Sequence, residues 1–249
     1  MAGHSQFKNI MYRKGAQDAK RAKMFTKIIR EIMVAVKESG ADANSNPRLR
    51  SALASAREAN MPKDNIERAI KRGLGGDDTA NYEEVRYEGY GPGGVAVIVE
   101  TLTDNRNRTA AEVRAAFSKH SGNLGESNSV SFQFDRLGVI EYPLSVAGPD
   151  AVFEAAIDAG ANDVQSGETL HEILCAPEDL MAARDALSAK FGDPASSKLA
   201  WRAKVTVPVD AETAKTLFKL IDVLEDNDDV QSVYANYDID EEVMKNLEF

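Results

Sequence analysis

VRYEGYGPGGVAVIVETL, residues 85–102, is where the chain changes its apolar period. Residues 85–90 alternate, and residues 95–102 are a near-continuous apolar run rich in β-branched side chains, the pattern of a central strand. The GYGPGG between them is read as a hairpin or wide turn. Gly89, Gly91 and Gly94 satisfy G-x-G-x-x-G, but a dinucleotide fingerprint must follow a strand and open a helix, whereas this one precedes the strand. The turn reading is adopted, and it sets a helical head before residue 82 against an α/β body after it.

Outward toward the N-terminus, Phe25, Ile28, Ile29, Ile32, Met33 and Val36 recur at helical spacing, with Lys23, Lys27 and Arg30 on a neighbouring face. Residues 16–22 are Ala-, Lys- and Arg-rich, good helix formers with little to bury, so the helix extends back through them as an exposed basic arm. Ser39-Gly40 stops it, with Gly40 in the left-handed region. Asn46-Pro47 announces a second helix to about residue 59, with Leu49, Leu53 and Ala56 inward. Pro62 starts a third, with Ile66, Ala69 and Ile70 inward and Gly73 ending it, and residues 74–81 are a linker.

Outward toward the C-terminus, Thr103-Asp104 is read as the cap of a helix over 106–119, followed by strands at 130–134 and 139–142. From there the order is helix 150–159, strands 163–165 and 169–176, helix 178–191 and strand 199–209, the βαββαβ order of a ferredoxin-like domain. Helix 211–224 and strand 230–235 are too few to fold alone and complete the unfinished sheet of residues 82–134. The expected class is α+β: an N-terminal three-helix domain followed by two α/β domains with ferredoxin-like character, one inserted in the other. The boundaries are 1–76 for the basic helical domain, 82–135 plus 203–249 for the discontinuous α/β domain, and 136–202 for the inserted one. Asp-Val-Gln-Ser occurs at both 163–166 and 229–232, each time just after an amphipathic helix, a hint of duplication.

Charge is segregated along the chain. The net charge of -10 divides into 16 basic and 7 acidic residues over 1–73, and 14 basic and 33 acidic over 74–249. A head of +9 and a body of −19 point to a basic segment that meets a polyanion. No apolar run approaches the roughly 18–20 residues of a membrane span, so no membrane is expected. The single cysteine, Cys175, excludes an internal disulfide and a Cys-cluster metal site, and a reducing cytoplasm is the expected compartment.

Other motifs read as structure. His171-Glu172-Ile173-Leu174-Cys175 begins like H-E-x-x-H but ends in Cys, lies on an expected strand and lacks a third ligand. The acidic run 225–229 lacks the Gly and terminal Glu of a calcium loop and is read as a solvated helix end and turn. No set of nucleophile, base and orienting group assembles. No catalytic residue, cofactor, metal or small-molecule substrate is therefore expected.

Two segments are candidates for binding. Lys8, Arg13, Lys14, Lys20, Arg21, Lys23, Lys27 and Arg30 can release counterions from phosphates and give salt-sensitive affinity. The competing readings are a solvated helix face, or docking of the basic head on the molecule's own acidic body. Asn105, Arg106, Asn107 and Arg108 lie beside the N-terminus of the helix over 106–119, which favours anions. There the competing reading is capping by Thr103 or Asp104, with the arginines solvated.

Gly3-His4-Ser5, Asn9-Ile10, Arg13-Lys14, Gln17-Asp18-Ala19-Lys20-Arg21 and Phe25-Thr26-Lys27 form one series of motifs. Pro62-Lys63-Asp64-Asn65-Ile66, YEGYGPGG (87–94), Thr101-Leu102-Thr103-Asp104-Asn105 and Gly122-Asn123-Leu124-Gly125 continue it. In these residues the chain resembles the YebC family. The resemblance implies a helical N-terminal domain followed by two α/β domains. It also implies a non-enzymatic nucleic-acid-binding regulator of gene expression, like the family's DNA-binding transcriptional regulators. The alternative it implies is a ribosome-associated translational activator that binds ribosomal RNA, as related members do. Charge does not distinguish DNA from RNA. A third class is an interaction scaffold whose acidic domains bind a basic protein partner.

Overall fold

The computed structural model describes residues 17–75, 81–240 and 243–244. In chain order the elements are α1 (Gln17–Ser39), α2 (Pro47–Glu58), α3 (Lys63–Leu74), β1 (Glu83–Tyr90), β2 (Ala96–Thr103), α4 (Arg106–Lys119) and β3 (Asn123–Leu124). Then come β4 (Phe134–Pro143), α5 (Pro149–Asp158), β5 (Asp163–Ser166), β6 (Leu170–Cys175), α6 (Leu180–Phe191) and β7 (Ser196–Ala203). The last are β8 (Val207–Pro208), α7 (Ala211–Glu225), β9 (Val230–Ala235) and β10 (Tyr237–Asp238). Three helices followed by two four-stranded sheets with helices make the fold α+β, as the periods predict. Two compact units form: one draws its described residues from Met1–Glu31, Gly75–Asp135 and Arg202–Phe249, the other from Ile32–Leu74 and Arg136–Trp201.

In the second of these units, α1 ends on Gly40 at φ +83°, whose amide donates to Val36 O at 2.8 Å. Asn46 is buried and serves two ends at once. Its Oδ1 accepts from the Leu49 amide at 3.0 Å as the cap of α2, while its Nδ2 donates to Ala35 O and Gly40 O. Gly73 lies inside α3 rather than ending it. A Cβ there would come within 2.8 Å of Val36 Cβ and 2.9 Å of Met33 O, so glycine is needed for close approach of α3 to α1.

The same unit holds β4-α5-β5-β6-α6-β7, with the sheet order β5-β6-β4-β7 and β6 antiparallel to both β4 and β5. This is the ferredoxin-like order the sequence predicts. Inward residues of β4 and β6 (Ile140, Tyr142, Ile173, Cys175) pack with Val152 and Ala156 of α5 and Ala183 and Leu187 of α6. His171 and Cys175 are both buried within this fold. His171 is bonded to Ser166 Oγ at 2.7 Å and Ala147 O at 3.1 Å. Among the described residues, no group of three His, Cys, Asp or Glu side chains is placed to hold a metal ion.

In the first unit the sheet order is β3-β1-β2-β9, with β1 antiparallel to β2 from Tyr90↔Ala96 to Glu83↔Thr103. GYGPGG is the turn of this hairpin, with Gly93 and Gly94 at φ +72° and +76°. β9 pairs antiparallel with β2, so the C-terminal strand does complete the sheet begun at residue 83. Val95, Val97 and Val99 face Val113 and Phe117 of α4 and Leu217, Leu220 and Leu224 of α7. Two strand expectations need correction. Residues 131–133 form a 3-10 turn and β4 starts only at Phe134. The expected strand 199–209 is two strands, β7 and the short β8.

The correction at 130–134 has a cause in Glu88. Its carboxylate is buried and accepts from the amides of Val130 at 2.9 Å and Ser131 at 2.8 Å, while Arg86 Nε donates to it at 2.8 Å. Amides held by a side chain cannot join a sheet ladder at the same time.

Candidate nucleic-acid interface

The basic stripe on α1 meets the end of α7. The last carbonyls of a helix have no intrahelical donor and carry partial negative charge. Lys27 Nζ donates to Glu225 O at 2.8 Å, Lys23 Nζ to Asp226 O at 3.1 Å, and Arg30 Nη1 to Asp228 O at 2.7 Å. Lys23 also pairs with the Asp226 carboxylate at 2.9 Å. Burial lowers the pKa of the Lys27 ammonium, and Glu225, Asp228 and Asp226 offset this only in part. The spacing of Lys23, Lys27 and Arg30 places them one turn apart on a single face.

Asp229 closes the turn and is its centre. The residue is 3% exposed, and it heads β9 behind an Asn227 side chain that accepts its amide at 2.8 Å. Arg30 Nη1 reaches Oδ1 at 2.7 Å and Arg108 Nη2 reaches Oδ2 at 2.6 Å. The Thr109 hydroxyl donates to Oδ2 at 2.7 Å, and the Thr103 hydroxyl lies 3.2 Å from the same oxygen. Burial alone raises the Asp229 pKa, but the hydrogen bonds from Arg108, Thr109 and Arg30 outweigh it and hold the carboxyl below the usual carboxylate range. The Arg108 guanidinium is held in its charged form first by its hydrogen bond to Asp229, then by that to Asp104 at 2.9 Å. The solvated-turn reading of 225–229 therefore fails at Asp229.

The N-terminus of α4 is capped by Asn105, whose Oδ1 accepts from the Arg108 amide at 3.1 Å, and not by Thr103 or Asp104. Thr103 instead accepts from the Asn105 amide at 2.9 Å. Arg106 and Asn107 occupy the first turn and are exposed. Tyr87 on β1 donates to Arg106 O at 3.3 Å.

The expected residues thus divide. Lys8, Arg13 and Lys14 lie outside the described residues. Lys20 is in the first turns of α1, and Arg21 is exposed, its guanidinium 5.5 Å from the Phe25 ring centroid. Lys23, Lys27 and Arg30 are engaged at the α7 end, Asn105 is a cap, Arg108 is tied to Asp229, and Arg106 and Asn107 face solvent. In the sequence the α1 arm and the α4 turn are separate candidates, and Asp229 joins them through Arg30 and Arg108. Nothing in the acidic run distinguishes Asp229 from its neighbours except its place at the head of a strand.

Comparison with known proteins matches this arrangement to one family. The chain is 59% identical over 247 residues, 99% of each chain, to a probable transcriptional regulatory protein of Zymomonas mobilis subsp. mobilis. The crystal structure of a conserved hypothetical protein from Aquifex aeolicus is similar with a TM-score of 0.82 at 48% identity, covering 90% of this chain and 93% of that one. The model of the TACO1/YebC protein N-terminal domain matches residues 5–76, and that of the TACO1/YebC second and third domain matches residues 82–237. The chain belongs to the TACO1/YebC family.

Proposed function

We propose that this protein is a non-enzymatic regulator of gene expression, acting in the cytoplasm, that binds nucleic acid through its basic N-terminal arm and the adjoining first turn of α4. The observation that carries the proposal is the double ion pair at Asp229. It fixes the base of the arm (Arg30) beside the α4 turn (Arg108), so that two basic segments distant in sequence share one surface. The description of the Zymomonas relative as a probable transcriptional regulatory protein supports the regulatory part. Lys8, Arg13, Lys14, Lys20, Arg21 and Arg106 take phosphates, Asn107 a neighbouring acceptor, and Lys23, Lys27, Arg30 and Arg108 hold the surface together.

The target is decided by parallel salt titrations of promoter duplex DNA and of ribosomes, the latter read by sedimentation through a salt-containing gradient. DNA binding that outlasts ribosome co-migration as salt rises fits the transcriptional role. Ribosome co-migration in salt that abolishes DNA binding replaces it with a translational role on ribosomal RNA. Absence of both at physiological salt overturns nucleic-acid binding altogether.

A further inference from the structure

Residues 137–183 contain no Lys or Arg and nine Asp/Glu. That run includes α5, whose buried side, Val152, Ala155 and Ala156, packs into the ferredoxin-like core. The other side is unusual. Phe153 and Ile157 stand one turn apart and are 52% and 48% exposed. Asp150, Glu154 and Asp158 form a second row alongside, at the same spacing of four, and all three are exposed. Two large apolar side chains in register beside three acids make a face with one apolar stripe and one acidic stripe.

We propose that this face of α5 docks a Lys/Arg-rich amphipathic helix of a partner protein. The apolar pair supplies area that is favourable to remove from water, and a helix groove recognises anchors at i and i+4. The acidic row selects a cationic partner and speeds its approach. Charge also rejects the alternatives. A nucleic acid is repelled by the acidic row of Asp150, Glu154 and Asp158, and a second copy of the same face would set acid against acid across an isologous contact. The proposal is independent of nucleic-acid binding, which uses the other compact unit.

The test uses the full chain and two synthetic Leu/Lys peptides of identical composition, one with its leucines on a single helical face and one scrambled. Binding is followed by fluorescence anisotropy and by amide chemical shifts. The patterned peptide is expected to bind at least about tenfold more tightly, with shifts centred on α5. Phe153→Ser with Ile157→Ser, both at exposed positions, removes that preference without changing Tm. Asp150→Asn with Glu154→Gln and Asp158→Asn weakens both peptides and reduces the dependence on salt. Equal binding of the two peptides, or a preference that survives Phe153→Ser with Ile157→Ser, overturns the proposal. A concentration-dependent dimer that Ile157→Ser dissociates assigns the face to a second copy and overturns it too.

Discussion

Asp163 and Asp229 head the same tetrapeptide, Asp-Val-Gln-Ser, and meet opposite fates. Asp163 is exposed and receives local bonds from the Val164 amide and the Gln165 side chain, whereas Asp229 is buried under two arginines and two threonines. Removing the Asp229 carboxylate leaves Arg30, which is 17% exposed, with the Asp228 carbonyl but without its charged partner, and a broken buried pair costs several kcal/mol. Since Arg108 is 43% exposed and can turn to water, the expected loss for Asp229→Ala lies at the lower end, about 3 kcal/mol by urea unfolding. The sign with pH follows from the depressed carboxyl. Its stabilisation is complete above the ordinary carboxylate pKa of about 4 and is lost as pH falls through the lower folded value. Asp229→Asn should therefore flatten the loss of stability on acidification below about pH 4, and an unchanged pH profile would count against the hub. Glu88 behaves alike in direction: burial raises its pKa, and the amides of Val130, Ser131 and Asn128 with Arg86 bring it below the usual range. Glu88→Gln is expected to cost about 1–3 kcal/mol and to speed hydrogen exchange at the Val130 and Ser131 amides. Neither carboxylate was legible as structural in the sequence. Burial depends on partners 121 or 42 positions away, which no local pattern records.

At the scale of elements, what local chemistry decides was readable. The helix over 106–119 follows from its period, although its cap is Asn105 and not the expected Thr103-Asp104, and the Asn46-Pro47 start of α2 and the Gly40 stop of α1 follow from capping and backbone preferences. The errors lie where a distant group overrides the local pattern, as at 131–133, where amides that a β-rich sequence offers to a sheet go to Glu88. Gly73, expected to end α3, lies inside it, and the reason for it, close approach to Val36, leaves no mark within α3 itself. The basic face of α1 divides in the same way. Lys23 and Lys27 meet carbonyls at the end of α7, so Lys23→Ala with Lys27→Ala should cost about 1 kcal/mol of stability and leave the salt slope of nucleic-acid binding unchanged. Lys20→Ala with Arg21→Ala should flatten the slope by roughly two units. Identical slopes for the two double variants would remove the distinction between anchor and contact.

At the scale of the whole molecule, the charge reversal first seen in the sequence limits how the protein can engage a polyanion. Its body of −19 is repelled, so the proposed contacts are confined to the basic segments. The acidic end of α7 takes up Lys23, Lys27 and Arg30, and Asp229 takes up Arg108. The residues proposed to take phosphates are Lys8, Arg13, Lys14, Lys20, Arg21 and Arg106. With about 0.9 counterion released per phosphate contact on duplex DNA, these six give a slope of log K against log salt near −5. If the α7 contacts were surrendered to phosphates, Lys23, Lys27 and Arg30 would raise the count to nine and the slope to about −8. The two cases also differ in thermal stability of the complex. Surrender breaks the Arg30 pair and exposes part of Asp229, whereas the anchored arm keeps both. A titration of duplex DNA at several salt concentrations, paired with hydrogen exchange at the Asp229 and Val230 amides in the bound state, separates them. A slope near −5 with unchanged protection at those amides is the expected result, and a slope near −8 with lost protection means that the acidic turn competes with nucleic acid for the arm.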